Sequence, residues 1–131
     1  MPDIWWVMPH DFLTALFLLC FGHSLADYPL QGQFLSDGKN RHTAIGKFFW
    51  PYYLSSHATI HAGFVLIITG SPYPALAEFI VHGTTDWMKC EGKISMLIDQ
   101  AVHYGCKIAW AGSYDLGAAM TEIRQPPSLP A

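Results

Sequence analysis

The chain has 131 residues, of which 51% are hydrophobic, 15% aromatic and 13% charged, with a net charge of −3. That length suits one core and not two, and the absence of a basic cluster argues against a nucleic-acid partner. The charged share is about half that of an ordinary soluble domain, which points to a lipid bilayer as partner. A mean hydropathy of only +0.22 shows that polar residues sit within the apolar runs.

The segment "MPDIWW" contains an Asp and neither Lys nor Arg, and "SLADYP" is a poor cleavage site, so the first 26 residues read as a mature helix and not a signal peptide. Periodicity and Pro/Gly punctuation predict four helices, at about 12–28, 52–69, 75–89 and 95–112. Asp11 suits the first N-cap and Pro29 ends that helix. Pro51 fits the first turn of the second, and Gly70-Ser71-Pro72 closes it. The long connection 30–50 is polar at its centre, "SDGKNRH", with Phe34, Leu35, Phe48, Phe49 and Trp50 around it. Those aromatics, like Trp5 and Trp6, suit a membrane interface. Residues 1–114 read as a single four-helix domain, and 115–131 as an extended or disordered tail.

Helices of about 15 to 18 residues are slightly short for a bilayer core of roughly 30 Å, but the charges favour spanning. Lys39, Arg41 and Lys47 lie in the first connection, none lies in the second, and Lys89 and Lys93 flank the third. The positive-inside rule puts the first and third connections in the cytoplasm and both termini outside. The expected fold class is therefore all-α, a four-helix membrane-spanning bundle in a bacterial inner membrane. A phage particle is the alternative location, and a homo-oligomer or larger assembly stays open. Cys20, Cys90 and Cys106, odd in number and without C-x-x-C spacing, read as small hydrophobes.

Each predicted helix carries ionisable residues one turn apart, and so on one face. The pairs are His23 and Asp27, His57 and His61, the ladder Glu78–His82–Asp86, and Asp99 and His103. This is a severalfold excess over random placement, and none falls in a loop. In a bilayer such groups turn toward the bundle interior, so four helices would bring them to one chamber. Three readings follow. The chamber could bind a divalent metal (Zn, Mn or Fe) through imidazole and carboxylate. It could relay protons, or its ion pairs could merely fix helix register. Asp27, Glu78, Asp86 and Asp99 supply four negative charges. Lys107 continues the Asp99–His103 face and favours the register reading, whereas Lys89 is expected to snorkel to the interface. If both lysines reach inward, two negative charges remain, which one divalent ion or two shared protons would neutralise.

The metal reading assigns His23, Asp27, His57, His61, His82 and Asp86 as ligands, with Asp99 and His103 as a second-site pair or as orienting partners. Glu78 would be the catalytic proton acceptor if the chain is a metal-dependent hydrolase of a lipid-phase substrate or membrane peptide. Gln31 and Gln33 could donate to a substrate or cap the chain. His10 and His42 read as solvated, and Glu91, Asp115 and Glu122 as surface charge. No G-x-S-x-G, P-loop or H-E-x-x-H motif is present. The non-catalytic alternative is a membrane or phage virion-associated structural or interaction protein whose polar core fixes helix packing.

The segments "HSLADYPLQ" (23–31), "HATIHA" (57–62), "EFIVHGTTDWMK" (78–89) and "DQAVH" (99–103) resemble, in order, those of a family of small bacterial and phage multi-spanning membrane proteins. That family is known as domain of unknown function three thousand three hundred and seven. The resemblance implies a four-helix membrane architecture with a shared polar core, and no particular reaction.

Overall fold

The structure is a computed structural model that describes residues 11–124. Among these there are five helices and no strand: α1 (Phe12–Asp27), α2 (Gly32–Gly38), α3 (Gly46–Thr69), α4 (Pro72–Cys90) and α5 (Met96–Arg124). The expectations for Trp5, Trp6, His10 and residues 125–131 lie outside the described residues. The all-α class holds, with one helix more than the four expected.

Asp11 caps α1 as its position suggests, its carboxylate accepting from Thr14 N at 2.8 Å. After Pro29 the chain turns through 82° into the short α2, with Gly32 supplying a φ of 58°. α3 begins six residues earlier than the expected 52 and contains Pro51 in its second turn. The Thr43 hydroxyl makes this earlier start workable, because it accepts from Gly46 N at 3.0 Å and donates to Asp37 O at 2.6 Å. Gly70 ends α3 in the left-handed conformation, its N–H on Leu66 O, and Pro72 opens α4.

The tail is corrected too. α5 continues to Arg124, so 115–124 is helical and not extended. Gly112, Ser113 and Gly117 look like a stop, but a glycine inside a helix costs only about 1 kcal/mol. Ala118, Ala119, Met120 and Glu122 are good helix formers that offset it.

α3 packs along α4, α1 lies against α3 and α5, α4 meets α5, and α2 rests on α3. The packing is tightest beneath α2. A Cβ on Gly38 would lie 2.8 Å from the Tyr53 ring, and one on Gly46 would lie 2.0 Å from the Asn40 carbonyl oxygen. Gly46→Ala is expected to destabilise the fold by about 3 kcal/mol, the upper end of overpacking costs, because backbone cannot yield as a side chain does. Thermal unfolding of the purified variant checks this; an unchanged midpoint would refute the close approach.

The interior is divided. One end, near the start of α1, the α3–α4 turn and the middle of α5, is apolar, formed by Ala15, Leu19, Val65, Ala75 and Ala111. The rest is mostly ionisable, with Ala26, Leu54 and Ala58 between the charged groups. Of the largest fully buried side chains, all but Leu19 and Val65 are His, Lys, Asp or Glu. Large apolar residues point outward on every helix, including Phe17, Phe48, Tyr73, Leu97 and, at 84% exposed, Ile123. No single described helix is long and apolar enough to cross a membrane, and α1 with α2 qualifies only as a bent pair. The inward-facing polar residues lower each helix's mean hydropathy.

Candidate metal centre

The six predicted ligands and the Asp99–His103 pair converge in the polar half of the bundle. α1 supplies His23 and Asp27 from its last two turns, α3 supplies His57 and His61 from its middle, α4 supplies His82 and Asp86, and α5 supplies Asp99 and His103 from its first two turns. One-turn spacing alone aligns each pair; the antiparallel packing brings the pairs to the same depth. The five imidazoles form one connected cluster. His82 is stacked between His61, at a centroid distance of 3.5 Å, and His103, at 4.1 Å, while His57 stands edge-on to His61 at 4.6 Å.

Asp27 is the focus of this cluster. His61 Nε2 is 3.0 Å and His57 Nε2 3.3 Å from its Oδ1, and His23 Nε2 is 3.3 Å from its Oδ2. Only the His61 contact has hydrogen-bonding geometry, since His57 Nε2 lacks a hydrogen-bond partner despite its closeness to the carboxylate. Both nitrogens of His57 and His82, Nδ1 of His23 and of His61, Nε2 of His103 and Oδ1 of Asp99 are likewise buried without such a partner. Native proteins rarely leave buried polar atoms unpaired, because each costs about 1–3 kcal/mol. A bound ion would satisfy one nitrogen each of His57 and His82. Asp27, His57, His61 and His82 each offer a donor atom, all within 4.8 Å of one another, and His82, Asp86 and His103 form a second such set. Donors about 2.0–2.1 Å from a tetrahedral ion sit roughly 3.3 Å apart. The 3.3 Å separation of Asp27 Oδ1 from His57 Nε2 matches that spacing, whereas the 3.0 Å to His61 is a hydrogen bond.

The remaining carboxylates are occupied by cations. Lys107 and Trp110 donate to the two oxygens of Glu78 at 2.5 and 2.7 Å, and His82 Nδ1 lies 3.5 Å away. Glu78, expected as a proton acceptor, therefore stands as the counterion of Lys107. Asp86 receives Lys39 on Oδ2 at 2.5 Å, with Lys89 2.7 Å from Oδ1. Lys89, expected at the interface, instead lies 23% exposed between Asp86 and Asp99.

Three participants were missed by sequence reasoning. Lys39, 3% exposed, reaches in from the turn after α2 and also donates to Gln31 Oε1. Gln31 is thus engaged within the chain, and Gln33 bonds Asp37 on the α2 surface. Gln100 donates to Asp27 Oδ2 and Asp99 Oδ2, both at 3.1 Å, tying α5 to α1. Trp110 is the third. The unbalanced charge count was the one signal pointing to a further buried cation; nothing local singled out Lys39. With three lysines against four carboxylates, one negative charge remains. A single imidazolium would balance it, and so would a divalent ion carrying hydroxide. At the rim, Arg41 and His42 reach Glu91 at 2.5 and 3.2 Å, joining the first and third connections at one end of the bundle. His42 is therefore paired with an acid as well as solvated.

Comparison with protein-family models, curated proteins and solved structures yields no match.

Proposed function

We propose that this chain is an integral membrane protein whose buried chamber binds a divalent metal ion, with Asp27, His57, His61 and His82 as its donors. The observation that carries the reading is the set of four donors whose ligand atoms lie within 4.8 Å of one another, with both nitrogens of His57 and of His82 buried and unpartnered. Imidazole with carboxylate suits zinc, manganese or ferrous iron. A metal in such a place lowers the pKa of bound water toward about 7, and hydrolysis of a lipid-phase substrate or membrane peptide is the reaction this chemistry suits. His23, Gln100, Asp99 and His103 would then orient the donors.

The outward display of large apolar side chains around an ionisable interior supports the bilayer. The Arg41–Glu91 contact supports placing the first and third connections on one side, as an inner-membrane orientation with both termini outside requires. Lys39 and Lys89 face inward and drop out of the positive-inside count, leaving Arg41, Lys47 and Lys93 to carry it. A phage particle remains the alternative location. The second functional reading is a non-catalytic helix lock, favoured by the Lys39–Asp86 and Lys107–Glu78 pairs.

Two measurements test this. Alkaline carbonate should leave the protein in the membrane pellet, and elemental mass spectrometry of detergent-purified protein should find near-stoichiometric zinc, manganese or iron. Release by carbonate would refute the membrane placement. A metal-free protein that takes up none of these ions on reconstitution would leave the helix lock as the function.

A further inference from the structure

On ligand types alone the chamber has room for two ions. The second donor set, His82, Asp86 and His103, shares His82 with the first, and its donor atoms also lie within 4.8 Å of one another. Both nitrogens of His82 and Nε2 of His103 are buried without a hydrogen-bond partner. Helical bundles with one-turn His/carboxylate ladders commonly hold paired metals in this manner. The structure nevertheless fills the position from within the chain. Asp86 Oδ2, the oxygen nearest His57 Nε2 (3.5 Å) and His82 Nε2 (3.9 Å), is taken by the Lys39 ammonium, and Oδ1 lies 2.7 Å from Lys89.

We infer that Lys39 is a built-in substitute for a second metal ion and limits the chamber to one. This rests on the metal reading above. Two independent physical reasons support it. Lys39 occupies the acceptor that a second ion would need, on backbone held close by Gly38 against Tyr53 and by Gly46 against Asn40. Charge gives the same answer. Three lysines and one hydroxide-bearing divalent ion neutralise the four carboxylates, so a second divalent ion would bring uncompensated charge into the largely buried chamber. An ammonium supplies a positive charge and three donors but no Lewis acidity. The Asp86 side therefore serves as an electrostatic wall, and the chemistry is confined to the Asp27 side.

The test uses the full chain in detergent, stripped with a chelator, reloaded with excess Mn²⁺ and desalted. Manganese per chain is read by elemental mass spectrometry and the spin state by electron paramagnetic resonance. About one ion per chain is expected for the unaltered protein and for Lys39→Arg, with the spectrum of an isolated ion. Lys39→Met is expected to double the uptake and give a magnetically coupled pair. Lys39→Gln, polar but neutral and one bond too short to keep the contact with Asp86, provides the same reading should Lys39→Met fail to fold. Lys107→Met removes an equal charge but leaves both Asp86 oxygens occupied, so it should stay at about one. The inference is overturned by two ions in the unaltered protein, by no gain in the Lys39→Met and Lys39→Gln variants, or by a gain in Lys107→Met. No manganese in any of them would overturn the metal reading as well, which separates the two failures.

Discussion

On the proposed metal reading, Asp27→Asn is expected to empty the chamber of metal while leaving the five-helix fold in place. Asparagine keeps the size of the side chain and can still pair with Gln100 and His61, which bond Asp27 at 3.1 and 3.0 Å. Among the described residues, it loses the only carboxylate that faces the imidazoles without a lysine of its own. Losing an outer hydrogen-bond partner of a metal ligand costs about 10–100-fold in affinity. Losing a charged ligand should cost more, so the purified variant should hold under a tenth of the unaltered metal content. Helical circular dichroism should be unchanged. His57→Ala with His61→Ala should give the same loss by removing two neutral donors. If Asp27→Asn keeps its metal while the histidine pair loses it, the centre is built on imidazole, and Asp27 is a neighbour and not a ligand.

Glu78→Ala carries the largest expected cost in stability. Glu78 is 1% exposed and accepts from Lys107 and Trp110, and Lys107 is itself buried. Removing the carboxylate leaves an ammonium in the core with no counterion, a change that typically costs about 3–5 kcal/mol. The double variant Glu78→Ala/Lys107→Met removes both charges and should recover most of that loss, because an apolar replacement of a buried pair is often close to neutral. Denaturation in detergent of the two single variants and the double closes the cycle. Strict additivity would mean that the pair is not coupled and that Glu78 is free to act as the proton acceptor first expected of it.

These two carboxylates illustrate how far the sequence could be read. Both belong to one-turn ladders, and the ladders were legible because helical periodicity converts spacing along the chain directly into a shared face. That much placed His23, Asp27, His57, His61, His82, Asp86, Asp99 and His103 together. Their roles were not legible. Glu78 and Asp86 flank His82 at the same spacing and look equivalent, yet Lys107 claims one and Lys39 and Lys89 claim the other. Asp27, with no lysine near it in the chain, has none near it in space either.

The local signals therefore determined a good deal: an all-helical chain, an outward apolar surface, and a chamber of imidazoles and carboxylates within it. Asp11, Gly70 and Pro72 marked helix ends, because capping and backbone preference act within a few residues. The start of α3 at Gly46 and the reach of α5 to Arg124 escaped, since tertiary packing and neighbouring helix formers outweigh a single Pro or Gly. Tertiary structure alone decided which cation meets which anion. Lys39 and Asp86 are 47 residues apart and Lys107 and Glu78 are 29 apart. Attraction between buried charges depends on distance in space and carries no periodic trace along the chain. The helices could be foreseen to bring a His/carboxylate cluster together. Only their packing, and the turn that folds Lys39 beneath α2, settled that Asp27 is the carboxylate left to face the histidines.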